Sequence, residues 1–431
     1  GRRRLRAPWL LRAALLGLAA GSSEQQDLRY GIVFDAGSSG SRIHVYTWRD
    51  AEEAGGFDLV EDDLVKVKPG LSSFAQEPAR AGASLAPLLE HAEKKVPPER
   101  RGSTPVLLMA TAGLRLAGEE AAAAILRSVV ETLNASPFLF RHEWAGIMPG
   151  TDEGVFGWMT VNYLLGTLVG KGQPTTAGVI DLGGGSVQLV YAVPPGGDVA
   201  PEYRSKVSFA GRAHDLYVRS HLGFGLDQAR TTAARRLLEA GGAASEAPVK
   251  HPCLPLNVQV SLGVGNGSRH AFLGTGSFEQ CSGLLRGLFS CAGPPCAFDR
   301  ALQPPLPGMV FGFSYLFDRT RAIGLLDGEV QAFGVQHMSV ADIRRAAAEL
   351  CSARPVDAED RFASCEDASK WANFCGDATY IAELLEHGFG IDASMNLTMG
   401  NKIGSTEVVW TLGAIIAKSD SLRAAPVKDE L

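Results

Sequence analysis

Val33-Phe34-Asp35-Ala36-Gly37-Ser38-Ser39-Gly40-Ser41-Arg42 aligns without a gap on Val179-Ile180-Asp181-Leu182-Gly183-Gly184-Gly185-Ser186-Val187-Gln188, at an offset of 146 residues. Each copy has two β-formers, an aspartate, a turn rich in glycine or serine, and a returning apolar run. One such unit is an ordinary tight hairpin, because Asp before Gly is common in turns. Two units at matched positions imply two related lobes facing each other. Around them, apolar runs alternate with helical periodicity, as in an α/β protein. Residues 30–46 and 178–191 read as strand, turn, strand. Residues 79–95, 117–133 and 153–168 read as helices, and Val106–Ala110 as a buried strand. The stretches 241–255 and 292–307 are rich in Gly, Ala and Pro and read as loops.

The chain has 431 residues, enough for two or three domains. Apolar residues make up 45%, which rules out global disorder. The 41 basic and 47 acidic residues give a net charge of −6, which argues against a nucleic-acid surface. Glycine is abundant, at 50 residues, and glycine lets a backbone approach a ligand closely.

The two turns have what a metal-chelated phosphate chain requires: close backbone N–H groups, hydroxyls, and carboxylates for a hard cation. Asp35 and Asp181 end their strands, where Mg²⁺ or Ca²⁺ between the turns would be held, mostly through water. Hydrolysis needs an activated water, and Glu153 in Gly150-Thr151-Asp152-Glu153-Gly154 is the candidate base. Helix-start chemistry accounts for an acidic residue there equally well. In Ala110-Thr111-Ala112-Gly113-Leu114-Arg115, Thr111 could bind the water and Arg115 the phosphate. The plain alternative is a helix cap followed by a surface arginine. The 166–172 stretch has the wrong spacing for a Walker loop, and neither H-E-x-x-H nor G-x-S-x-G occurs.

The two ends carry targeting signals. Arg2, Arg3, Arg4 and Arg6 precede an apolar stretch over residues 7–20 and then small residues, the layout of a signal peptide over 1–22, with an N-terminal anchor as the alternative. Lys428-Asp429-Glu430-Leu431 is a retrieval signal that would engage a KDEL receptor, placing the protein in the endoplasmic reticulum lumen. Asn134, Asn266 and Asn396 begin glycosylation sequons. No internal segment reaches the length of a membrane span; the best, 408–417, is half as long as needed, so no multi-span membrane domain is expected. The seven cysteines contain no C-x-x-C pair and suit an oxidising lumen.

Together these segments resemble the apyrase family, the ecto-nucleoside triphosphate diphosphohydrolases. The residues that carry the resemblance are DAGSSGSR from Asp35, ATAGLR from Ala110, GTDEGVFGW from Gly150, DLGGGSVQ from Asp181 and WTLGA from Trp410. Pro149 and Thr151 depart slightly from the third signature. The resemblance implies two ribonuclease-H-like lobes of the actin, heat-shock-70 and sugar-kinase superfamily, with the active site between them. The expected domains are lobe I over 28–150, completed by 404–424, lobe II over 151–403, and a tail over 425–431. Trp410 would then sit near the cleft. The resemblance further implies Glu153 as the base, with Thr111, Ser186 and Gln188 near the attacking water and metal water. Asp35 and Asp181 would hold Ca²⁺ or Mg²⁺. Ser38, Ser39, Gly40, Arg42, Arg115, Gly183, Gly184, Gly185 and Ser186 would bind phosphate. Base stacking falls to Phe374 with Tyr315 or Phe317. Cys253–Cys281 and Cys351–Cys375 match pairs in the soluble secretory-pathway nucleoside diphosphatases, Cys291–Cys296 resembles a small loop of cell-surface members, and Cys365 has no assigned partner. The implied reaction is hydrolysis of nucleoside diphosphates, and triphosphates with them, to the monophosphate and phosphate. Two rivals use the same lobes: a chaperone-like or sugar-kinase-like nucleotide-binding module, and a phosphatase of polyphosphate or a guanosine alarmone.

Overall fold

The structure is a computed structural model that describes residues 28–37, 40–50, 56–168, 175–194, 196–241, 247–265, 267–289, 298, 302–326, 335–354, 357 and 368–423. Ser38, Ser39, Asn266, Cys291, Cys296, Cys365, the N-terminal basic and apolar stretch and the C-terminal retrieval signal lie outside the described residues.

The first sheet contains β1 (Leu28–Ala36), β2 (Ser41–Arg49), β3 (Asp58–Val67), β4 (Val106–Ala110) and β5 (Ala145–Ile147), in the order β3-β2-β1-β4-β5. The second contains β6 (Gly178–Leu182), β7 (Ser186–Ala192), β8 (Arg204–Phe209), β9 (Arg212–Leu222), β13 (Val310–Ser314), β14 (Gln336–Ser339) and β15 (Asn396–Met399). Its order, β14-β15-β13-β6-β7-β9-β8, contains the first sheet's pattern as β9-β7-β6-β13-β15. The strand senses agree too: β1 and β6 each pair antiparallel with the next strand and parallel with a later one. Asp35 faces Arg42 across the first hairpin and Asp181 faces Gln188 across the second, the same 146-residue offset. Each turn is closed by a 3.0 Å bond, Gly37 N–H to Gly40 O and Gly183 N–H to Ser186 O. The repeat read in the sequence is a repeat of structure.

Central strands covered on both faces by helices read as continuous apolar runs. In β1, Ile32 and Phe34 face a core built with α1 (Ala86–Lys95) and α3 (Glu119–Ala135), whereas Val33 faces the opposite core. Between α1 and α3 runs the short α2 (Ala112–Leu116). The opposite core contains α4 (Gly150–Leu164), and residues of both sheets meet there: Val33, Trp48 and Leu107 from the first, Val179, Val190 and Phe313 from the second. On the far side of the second sheet lie α5 (Leu226–Gly241), α6 (Phe278–Arg286), α7 (Tyr315–Ala322), α8 (Val340–Ser352) and α9 (Phe374–Glu383). The chain then returns as α10 (Trp410–Arg423), which joins α4 between the sheets.

α10 begins with the fifth signature. Its first seven residues, 410–416, are all buried between the sheets, which accounts for their apolar run. Among the described residues no helix is long and apolar enough to cross a membrane. Leu412, Ile415 and Ile416 are buried, each stabilising the fold by about 1.5–3 kcal/mol, which outweighs the cost of about 1 kcal/mol for a mid-helix glycine at Gly413. That glycine lets the two helix backbones touch. Thr160 Oγ donates to Val409 O and accepts from Gly413 N–H, both at 2.8 Å, and Tyr46 O pairs with Thr411 Oγ at 2.7 Å.

The helices expected over 117–133 and 153–168 form, with shifted ends, and 79–95 forms two helices, Arg80–Ala83 and Ala86–Lys95, parted at Ser84 and Leu85; Glu153 lies in the first turn of α4, as expected. The 241–255 stretch is not loop throughout. Val249–His251 forms β10, parallel to β12 (Arg269–Gly274), in a small sheet with β11 (Gln259–Gly263). Disulfides join Cys253 to Cys281 and Cys351 to Cys375.

Candidate active site

The third signature delivers Glu153 from the side of α4 into the gap between the two hairpin tips. Glycine makes the approach possible. A Cβ on Gly150 would fall 2.1 Å from Ser220 Oγ and 2.2 Å from Arg115 Nη1; one on Gly154 would fall 2.7 Å from Val190 Cγ2 and 3.1 Å from Gln188 Cβ. The first turn of α4 is therefore pressed against β7 and β9, and Glu153 is 8% exposed.

Around it the side chains converge from both sheets. Arg115, at the end of α2, donates from Nη2 to Glu153 Oε2 at 2.5 Å and to Ser186 Oγ at 3.2 Å. Gln188 donates from Nε2 to Ser186 Oγ at 2.8 Å and to Ser220 Oγ at 3.0 Å, with a longer 3.4 Å contact to Glu153 Oε2. Ser220 lies opposite Gln188 in the β7–β9 ladder, so the register itself places the hydroxyl that fixes the amide. Thr111 caps α2 through its backbone and not its side chain, so capping does not account for its hydroxyl.

Desolvation dominates the electrostatics. Burial raises the Glu153 carboxyl to about 8 against the lowering influence of Arg115, and Asp181 and Asp35 push it further up. Burial also raises Asp181 to about 6; the Ser314 hydroxyl and Arg42 oppose this, and Asp35 adds to it. Asp35 of β1 is thus close enough to raise Asp181 of β6, and both are close enough to raise Glu153 of α4. Asp35 accepts from Arg42 Nη1 at 2.8 Å.

No group of three or more His, Cys, Asp or Glu side chains forms a direct metal cage among the described residues. Two buried carboxylates that repel each other fit a hydrated divalent cation instead, since Mg²⁺ is commonly held by one or two carboxylates, several waters and substrate phosphates.

The glycine turn of the second unit is braced from behind. Leu226 N–H bonds Gly183 O at 2.9 Å, Asp227 and Gln228 N–H reach Gly184 O at 3.1 and 3.2 Å, and Gly223 N–H bonds Gly185 O at 2.8 Å. A trans peptide places its N–H opposite its C=O. With these carbonyls tied back, the Gly184 and Gly185 amides point to the other side of the turn. A Cβ on Gly185 would lie 2.6 Å from Ala112 Cβ, so the turn reaches the start of α2 across the gap. The arrangement can hold an anion on amide donors beside a buried carboxyl whose affinity for protons matches neutral to mildly alkaline pH.

Arg42 pairs with Asp35 and Arg115 with the candidate base. Phe374 is fully buried beside Cys351 and Cys375, and Phe317 is buried in the core of the second sheet, so neither ring has a face free for a nucleobase. Tyr315 is half-buried; its hydroxyl donates to Asp227 Oδ2 at 3.3 Å and its ring lies under the Arg319 guanidinium. Trp410 is buried in the core shared by the sheets. The sequence reading missed Ser220. Ser220 had one faint signal, its position in the mixed segment Arg212–Leu222 that follows the DLGGGSVQ hairpin.

The GDA1/CD39 (nucleoside phosphatase) family matches residues 22–430. A guanosine-diphosphatase of Schizosaccharomyces pombe is 33% identical over 419 residues, covering 90% of this chain and 73% of that protein. Ectonucleoside triphosphate diphosphohydrolase 5 of Gallus gallus is 36% identical over 404 residues, covering 91% and 88%. Among solved structures, a nucleoside triphosphate hydrolase of Neospora caninum shares the fold with a TM-score of 0.65 at 14% identity, covering 94% of this chain and 96% of that one. The chain belongs to the GDA1/CD39 (nucleoside phosphatase) family.

Proposed function

We propose that this nucleoside phosphatase removes the terminal phosphate of nucleoside diphosphates, and of triphosphates with them, with a divalent cation. The observation that carries the reading is the buried Glu153 carboxyl, bonded by Arg115 and approached by Gln188 between the two glycine turns. Glu153 takes the proton of the attacking water. The Ser186 hydroxyl and Gln188 amide orient that water, with Thr111 beside them. The amides of Gly184 and Gly185, with Gly40 and Ser186, receive the phosphate oxygens. Arg115 balances charge on Glu153 and, as the proton moves, on the phosphate. Asp35 and Asp181 would hold Mg²⁺ or Ca²⁺, which when bound supplies charge neutralisation at the phosphate oxygens.

We place lobe I at 28–150 with 404–424 and lobe II at 151–403. The N-terminal apolar stretch, the sequons and the C-terminal KDEL support a secretory protein retrieved to the endoplasmic reticulum lumen, where Asn134 and Asn396, both exposed, would be glycosylated.

The test is phosphate release from UDP, GDP, ADP, UTP and ATP with Mg²⁺ or Ca²⁺. Release that stops with EDTA is expected, as is strong metal-dependent loss in Asp35→Ala and Asp181→Ala. Nucleotide binding without turnover would favour a binding module, and an unchanged rate in EDTA would remove the metal.

A further inference from the structure

The first amides of a helix lack a partner within the helix and are ordinarily met by a side-chain cap or by water. In α5 they are met by the glycine turn: the Leu226, Asp227 and Gln228 N–H groups bond the carbonyls of Gly183 and Gly184. A Cβ on Gly225 would fall 2.4 Å from Gly184 C and 2.5 Å from Gly185 N, so the start of α5 rests directly on the backbone of that turn. A shift of α5 therefore carries the Gly184 and Gly185 amides with it.

Packing alone leaves the contact between α5 and α9 unfilled. A cavity of about 30 Å³ lies there, with Leu226, Ala229 and Ala233 on one side and Gly376 and Tyr380 on the other. Arg230 spans this contact. It donates from Nε to Asp377 Oδ1 at 2.7 Å and from Nη2 to Asp377 Oδ2 at 2.5 Å, and its Nη1 donates to Asp227 Oδ1 at 2.6 Å. Asp377 is fully buried in α9, whose first turn is tied to α8 by the Cys351–Cys375 disulfide. The Tyr315 hydroxyl of α7 donates to the other oxygen of Asp227 at 3.3 Å. An acidic side chain in a first turn is drawn to the helix amides. Here Arg230 and Tyr315 take the Asp227 carboxylate, and the amides stay with the glycine turn.

We infer that Arg230 is a positioning residue: its fork on Asp377 and its further bond to Asp227 fix the start of α5, and through α5 the amide donors that receive the terminal phosphate. The inference rests on the reading that the Gly184 and Gly185 amides bind that phosphate. Donors aimed at developing charge act best when they are already in place. A guanidinium fork matches two carboxylate oxygens at once, whereas a lysine ammonium is a point charge.

The experiment compares the full chain with Arg230→Lys, Arg230→Gln, Gly225→Ala, and Arg230→Lys combined with Gly225→Ala. Each is assayed for phosphate release from UDP with Mg²⁺, below its own thermal midpoint. Arg230→Lys keeps a positive charge beside the buried Asp377. It should still lower kcat and kcat/KM alike, by about 10–100-fold, with KM nearly unchanged. Arg230→Gln, which removes the charge, should lose turnover in the same way. Gly225→Ala moves the turn off α5 directly and should also lower kcat. In that background Arg230→Lys should cost no more than about a further twofold. Wild-type kcat in either folded Arg230 variant, with turnover impaired in Gly225→Ala, would overturn the role of Arg230 alone and leave a merely structural ion pair. Losses that multiply in the combined variant would overturn its action through the turn. Normal turnover in Gly225→Ala would overturn the phosphate-binding role of the turn beneath it.

Discussion

Glu153→Gln is expected to lower kcat by about 10²–10⁴ while making the protein more resistant to heat at alkaline pH. The two effects share a cause. The carboxyl titrates near 8 in the folded chain against 4.5 for an ordinary glutamate. Between those values the unfolded chain releases the proton and the folded chain keeps it. The stability this group contributes is full below about pH 4.5 and is lost as pH rises toward 8, by at most about 1.4 kcal/mol per pH unit. Glutamine removes the titration and still offers Arg115 an acceptor oxygen. The gap in thermal midpoint between variant and wild type should therefore widen from pH 5 to pH 8 and then level off. In the wild type, kcat/KM should rise with pH to a plateau above about 8, because a base works ionised. A divalent cation beside the site favours the carboxylate and should move that limb to lower pH. Near-wild-type turnover in Glu153→Gln would remove it as the base.

The second large effect lies away from the reacting atoms. Gly413→Ala would place a Cβ 1.9 Å from Phe156 O and 2.7 Å from Phe156 C. Both are backbone atoms, so no side chain can rotate away and α10 must move off α4. Overpacking typically costs about 1–3 kcal/mol, and this contact belongs at the upper end. Phe156 is three residues from Glu153 on the same helix, so the base moves with the backbone. Displacement by about 1 Å can reduce turnover about 100-fold. The expected outcome is a lower thermal midpoint together with a fall in kcat greater than the loss of folded protein explains. A variant that folds and turns over normally would show that the α4–α10 contact does not position Glu153.

This contact marks where reading the sequence reached its limit. The repeated hairpins were legible because glycine-rich turns between apolar runs are written locally, and register fixes the rest. The function of WTLGA was not, because its partners Thr160 and Tyr46 lie about 250 and 365 residues away. The pairing of Arg42 with Asp35 was not legible, because a hairpin's cross-strand pair cannot be seen without its register. Phe317 and Phe374 looked like stacking faces because an aromatic signals area, and only packing says whether that area is free. Ser220 is a single serine between Arg219 and His221, with no spacing pattern to distinguish it. β10 escaped because its pairing comes from β12 while its own neighbourhood is rich in Gly, Ala and Pro.

The central claim is that water, activated by Glu153, attacks the terminal phosphorus of a nucleotide held between the two turns. Turnover of a nucleoside diphosphate in ¹⁸O-labelled water tests it most directly. The label should appear in the released phosphate and not in the nucleoside monophosphate, and Glu153→Gln should release labelled phosphate about 10²–10⁴-fold more slowly. Label in the monophosphate, or labelled phosphate released at the wild-type rate without the carboxylate, would contradict it.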